Sequence, residues 1–207
     1  MSQSYVALIA DAVASRRLPG PARARLQTRL RTALPAYGRR WRRYLAAAFA
    51  VILGDEVQGL LTGAEPVWEI AHRLRLDFPE VEWVVACGRG PLATPLPPRA
   101  TAPELDGPCF HLARGALEAA KRDGQLFTFG GFGPGVAPFV PYYSALYRSW
   151  TPRQRHTATL LRLGPPAEAA AALGVDRSAV SHLARRMAWP LVAAGDMMFR
   201  AAILEAR

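Results

Sequence analysis

Apolar residues along this chain keep switching between two periods. Short runs rich in Val, Ile, Leu and aromatics read as strands, and segments with apolar residues every three or four positions read as helices. Tyr5 to Ala10 is a buried strand closed by the Asp11 carboxylate. After the Pro19-Gly20-Pro21 turn, Leu26, Leu30, Ala33, Leu34, Tyr37 and Trp41 lie at helical spacing among arginines. This amphipathic helix is expected to break near Pro35 and Gly38. Ala47 to Leu53 and Val57 to Leu61 form a hairpin around Gly54-Asp55-Glu56. Pro66 to Leu76 reads as a helix, Trp83 to Cys87 as a strand and Pro91 to Pro108 as a Pro-rich loop. Cys109 to Lys121 is a further helix and Gln125 to Phe129 a last strand.

The order β-α-β-β-α-β-α-β implies an α+β fold whose first domain is a ferredoxin-like palm, an antiparallel sheet with helices on one face. The expected boundaries are 1–129 for this domain, 130–141 for a Gly- and Pro-rich linker, and 142–207 for an all-α helix-turn-helix domain. Trp41, Trp68, Trp83, Phe110, Phe127, Phe129 and Trp150 fit buried positions, and Tyr142, Tyr143 and Tyr147 are placed to pack the two domains together.

The helix-turn-helix reading rests on offsets. Ala170 is small where two helices would cross, Leu173 fills their core, and Gly174 stands where the chain needs a positive φ. Val175, Val180 and Leu183 complete the apolar set, Asp176 is the expected N-cap, and Thr151-Pro152-x-Gln154 is a capped start for a supporting helix. Arg177, Ser178, Ser181, His182, Arg185 and Arg186 are left outward, on the face that enters the major groove in this motif. Arginine can bond guanine bidentately, while serine can bond a base edge or a phosphate. The partner expected is double-stranded DNA.

Charge sharpens this picture. The net charge is +10, with ten Arg against one Asp in residues 1–43, and eight basic against four acidic residues in 150–207. Residues 44–149 carry eight basic and eleven acidic residues. The basic ends suit a polyanion, or simply a solvated helix face. The longest uncharged apolar run, Tyr44 to Leu53, is too short to span a bilayer, so no membrane association is expected. No basic segment precedes Tyr5 to Ala10, so a secretory signal is not expected. Cys87, Cys109 and the four scattered histidines have no zinc-site spacing, and the two lone thiols suit a cytoplasmic location.

Two acids carry the remaining candidate chemistry. Asp11 at a strand end and Asp55 at the hairpin tip could face each other as a Mg²⁺ or Mn²⁺ site holding a nucleotide phosphate, with Glu56 and Arg114 as nucleotide-binding neighbours. Equally, Asp55 could accept hydrogen bonds within a tight turn and Asp11 could cap the loop before Ser15. The stretches Ala10-Asp11-Ala12-Val13-Ala14-Ser15-Arg16 and Leu53-Gly54-Asp55-Glu56-Val57-Gln58-Gly59-Leu60-Leu61 resemble the SatD family of bacterial proteins, as do Asp106-Gly107-Pro108 and Ala113-Arg114. The resemblance extends over nearly the whole chain and implies more about architecture than about chemistry.

The first domain is also similar to class III nucleotidyl cyclases, in which metal-binding aspartates sit at the positions of Asp11 and Asp55. Those enzymes carry an Asn and an Arg one turn apart on the helix equivalent to Cys109–Lys121, and here Arg114 has no such Asn. Val51 and Ile52 stand where a base-selecting Lys is expected. Without charge stabilisation of the transferring phosphate, cyclase catalysis loses its main source of rate. Three functions follow: a homodimeric transcription regulator with a degenerate cyclase-like domain that dimerises and senses a nucleotide or metal; a metal-dependent nucleotide enzyme using Asp11 and Asp55; and an interaction protein with neither activity.

Overall fold

The computed structural model describes residues 3–52 and 54–205, so Leu53, expected to end a strand, lies outside the described residues. Five strands, β1 (Tyr5–Val13), β2 (Leu45–Ile52), β3 (Glu56–Leu61), β4 (Glu82–Gly90) and β5 (Phe127–Gly130), form one sheet in the order β2-β3-β1-β4-β5. β1 lies antiparallel between β3 and β4, with Leu8 opposite both Gly59 and Cys87. β5 runs parallel to β4, so the sheet is mixed rather than purely antiparallel. The fold is α+β.

Three helices cover this sheet: α1 (Gly20–Arg40), α2 (Val67–Asp77) and α3 (Pro108–Asp123). Side chains alternate between the faces of a strand, so the pairing sorts the helices. Asp11, Ile9 and Ala7 share a face with Glu56, Gln58 and Leu60 and with Val84, Ala86 and Gly88. That face meets α3, because a Cβ on Gly88 would lie 2.1 Å from the Cys109 carbonyl and 2.3 Å from the Ala113 nitrogen. The opposite face meets α1 and α2, where Tyr37 and Trp41 pack edge-to-face at 5.0 Å and both reach Phe49 at 6.4 Å. The helices therefore occupy both faces, not one.

Two local expectations are corrected. α1 runs unbroken through Pro35 and Gly38. An interior proline costs a helix about 3 kcal/mol, but Leu26, Leu30, Leu34 and Tyr37 are buried along one stripe that grips the sheet on both sides of it. Asp11 lies inside β1 rather than at its end, because pairing with β4 continues to Val13 opposite Glu82. The loop between β4 and α3 lies along the edge strand β2, with the Ala48 N–H donating to the Ala100 carbonyl at 2.9 Å. A covered edge cannot recruit further strands.

Five helices follow: α4 (Phe139–Ser149), α5 (Pro152–Leu163), α6 (Pro166–Leu173), α7 (Arg177–Arg186) and α8 (Trp189–Glu205). They are not held away from the sheet. Val136, inside the Gly- and Pro-rich stretch, is buried in the same core as the strands, with Val140, Tyr143, Phe199 and Ile203. Phe199 lies against Phe127, Phe129, Phe139 and Trp68. A second cluster gathers Trp150, Ala158, Met187 and Val192, and a third, Ala169, Ala170 and Val180, joins α5, α6 and α7.

A buried polar network ties the helices to α2. The Arg162 guanidinium grips Asp196 with two bonds, from Nε at 2.6 Å and from Nη2 at 2.9 Å. Its Nη1 donates to the Tyr143 hydroxyl at 3.4 Å, and its plane lies over Tyr143, Trp150 and Trp68. The Tyr143 hydroxyl is 3.0 Å from His72 Nε2, and His72 Nδ1 is 2.8 Å from the Trp68 carbonyl. A carbonyl can only accept, so Nδ1 carries the proton and Nε2 accepts from Tyr143. His72 is neutral: burial pushes its pKa well below the ordinary value, and the cations Arg162 and Arg75 add to the shift.

The sign of the linkage follows. Below about pH 6.5 the unfolded chain binds a proton at His72 that the folded chain refuses. Stability is therefore expected to fall with acid, by up to about 1.4 kcal/mol per pH unit from this residue. Urea midpoints measured between pH 8 and pH 5 check this, and His72→Gln is expected to flatten the slope. An equal slope in the variant would assign the acid sensitivity elsewhere.

Candidate functional site

The surface formed by α6 and α7 begins with a turn. Gly174 adopts φ 62° and ψ 36°, a left-handed conformation that glycine adopts without a Cβ clash. Its N–H donates to the Ala171 carbonyl at 3.2 Å, and the Val175 N–H reaches the Ala170 carbonyl at 3.1 Å. This pair of bonds closes a helix by reversing the chain. Ala169, Ala170 and Val180 are buried between the helices, with Leu173 and Val175 packed against them. α5 supports them from behind through a reciprocal cap: the Gln154 N–H donates to Thr151 Oγ1 at 3.3 Å, and the Thr151 N–H to Gln154 Oε1 at 2.9 Å. Asp176 stands at the N-cap position of α7, but its side chain makes no capping bond, contrary to expectation.

Arg177, Ser178, Ser181, His182, Arg185 and Arg186 are all exposed. Residues 177, 181 and 185 follow one another at four-residue spacing, with 178 and 182 beside them, so five of the six form a single helical face. Ser181 Oγ donates to the Arg177 carbonyl at 3.0 Å. His182 and Arg186 also line a cleft of about 420 Å³ with Thr151, Arg153 and Gln154. Arg153 was not singled out from the sequence. It precedes α6 by 13 residues and α7 by 24, and only the packing of α5 against α7 brings it to this face.

The acidic residues are arranged differently from the sequence-based expectation. Asp11 and Glu56 are direct cross-strand neighbours pointing toward α3. Asp11 Oδ2 is 2.8 Å from Lys121 Nζ. Arg114 grips Glu56 with two bonds of 2.6 Å, and Gln58 Nε2 adds a third at 2.8 Å. Burial alone would raise the Glu56 carboxyl, but the bonds from Arg114 and Gln58 outweigh it and hold the pKa below the ordinary value. Asp55 lies in the β2–β3 turn and accepts a hydrogen bond from Ser15 Oγ. The pair brought together across the strands is thus Asp11 with Glu56, each with its own cation. Among the described residues no three His, Cys, Asp or Glu side chains cluster as metal ligands would. Lys121, the only lysine in the chain, was the overlooked signal.

A family model described as the SatD family matches residues 5–125, more than half the chain. The chain belongs to the SatD family. The match runs from the start of β1 past the end of α3, so it takes in the sheet face with Asp11, Glu56, Arg114 and Lys121. It stops before α4 to α8, short of the nearly complete coverage that the resemblance implied. No curated protein matches the chain.

Proposed function

We propose that this SatD protein is a cytoplasmic DNA-binding regulator in which α6 and α7 act as a helix-turn-helix and α7 lies in the major groove. The observation that carries the reading is the state of α7. All six candidate side chains reach solvent while Val180 on the other side of the helix is buried, so among the described residues nothing covers the face that would meet a duplex. In this reading Arg177 and Arg185 meet base edges, and Arg186 and the neighbouring Arg153 meet phosphates. The strand order β2-β3-β1-β4 with intervening helices supports the ferredoxin-like, cyclase-related palm. In this reading the palm is the body on which a homodimer of readers is mounted, facing a palindromic site.

A metal-dependent nucleotide site at Asp11 and Asp55 has less support. A cation at Asp11 would have to displace Lys121, and Asp55 is occupied by Ser15.

The test is retention of DNA fragments at stated salt by the wild type and by Arg177→Ala/Arg185→Ala. Each good base contact contributes about 1–3 kcal/mol. The double variant is therefore expected to lose at least tenfold in specific affinity while its circular dichroism and melting temperature stay put. Undiminished specific retention would overturn the assignment of α7.

A further inference from the structure

α8 is largely apolar on both sides, its charged residues being the buried Asp196 and the exposed Arg200 and Glu205. Its inner face, Val192, Asp196, Phe199 and Ile203, is buried. Its outer face carries Leu191, Met197, Met198 and Leu204, which are 73, 68, 62 and 51% exposed, with Ala194 and Ala201 exposed between them. A helix apolar all round calls for a cover on each side, and single exposed apolar residues are ordinary while a contiguous row is not. No single described helix is long and apolar enough to cross a membrane.

We propose that the cover is a second copy of α8, packed antiparallel about a twofold axis between residues 197 and 198. The sequence of the outer face is self-complementary about that point. Leu191 would meet the partner's Leu204, Ala194 the partner's Ala201, and Met197 the partner's Met198. Residues at the two ends are large, and the alanines between them let the helices approach closely. The half-exposed Tyr142 lies beside Gly195 at the margin of this stripe and extends the apolar surface that the pairing would cover.

The same pairing sets the distance between readers. Two 17-residue helices centred on one axis place their N-termini about 25 Å apart at 1.5 Å per residue. α7 departs from α8 at a bend of 74°, which carries each reader a few ångströms further out, to a separation of about 30–35 Å. One turn of DNA separates half-sites by about 34 Å. This arrangement rests on the DNA-binding reading only for its purpose. The pairing itself stands on α8, and it moves dimerisation from the palm to the last helix.

The test uses the full chain without DNA. Sedimentation of the wild type at tens of micromolar is expected to give a dimer, and Leu191→Glu/Met198→Glu a folded monomer, since both residues face solvent in one copy. Ala194→Cys/Ala201→Cys is expected to crosslink two chains under mild oxidation, and Ala194→Cys alone is not; Cys87 and Cys109 are buried and do not interfere. A wild-type monomer, a dimer that survives both glutamates, or equal crosslinking by the single cysteine would overturn the proposal, as would capture of the wild type by phosphatidylcholine vesicles in place of self-association. On DNA, the monomeric variant is expected to keep its affinity for one half-site and lose at least tenfold on two half-sites one turn apart. Loss on both would fault the fold of the variant, and absence of any wild-type DNA binding would fault the regulator reading while leaving the sedimentation result intact.

Discussion

Asp196→Ala is expected to destabilise the protein by about 3–5 kcal/mol, because it leaves a guanidinium in the interior with no counter-charge. The Arg162 side chain is 2% exposed and makes its two strongest bonds to this one carboxylate. Truncating the acid also exposes the weakness of the remaining contacts. The Tyr143 hydroxyl is at 3.4 Å, and the aromatic faces of Trp68, Tyr143 and Trp150 attract a cation without neutralising it. A chain of this size loses about 2–4 °C of melting temperature per kcal/mol, so a drop of about 10 °C is expected in a thermal scan. Arg162→Met/Asp196→Leu is expected to recover much of the loss, since an apolar pair of similar volume avoids the desolvation of both charges. A single variant within 1 kcal/mol of wild type would mean that water or a rearranged side chain reaches Arg162.

The second large effect concerns β4 and α3. Gly88→Ala is expected to cost about 3 kcal/mol or more, at the upper end of overpacking penalties. The added methyl would meet the Cys109 carbonyl and the Ala113 nitrogen, which are backbone atoms of α3 and cannot rotate away. The helix would have to lift from the sheet, loosening Ala113 and Leu117, both buried beneath it. Gly115→Ala, on the exposed side of the same helix, has nothing within 4 Å of the new methyl. It is expected to stabilise by about 0.5–1 kcal/mol through helix propensity. Urea denaturation of both variants checks the contrast in sign; two changes of the same sign would refute the close approach at Gly88.

How far these contacts could be read from the sequence depends on the range of the force involved. The α+β class and the alternation of strands and helices were visible in local apolar periods. The turn at Gly174 was visible too, because positive φ and a Schellman closure depend on a few neighbouring residues. What escaped was set by distant partners. Pro35 reads locally as a break, yet the buried stripe from Leu26 to Tyr37 holds the helix together across it. Asp11 reads as a strand end, yet β4 keeps pairing beyond it. The parallel direction of β5 and the placement of α3 opposite α1 and α2 follow from a crossover that no short window contains. The cations Lys121 and Arg114 lie 110 and 58 residues from the acids they hold. Nor does composition at 130–141 register that Val136 is buried with the strands.

The reach of α8 has a consequence for how the chain is made. Its first turns fill a gap among the helices through Val192, while Phe199 and Ile203 plug the aromatic pocket above β5. Arg89 on β4 also donates to the Ile203 carbonyl at 3.2 Å. A nascent chain with α8 still inside the ribosomal tunnel therefore has a finished set of strands but an open, greasy hole beside Trp68 and Phe127. Closure of the sheet's pocket waits on a helix made well after the strands it covers, so this protein is expected to acquire its native compactness only once α8 has emerged, and to lean on holdase protection until then.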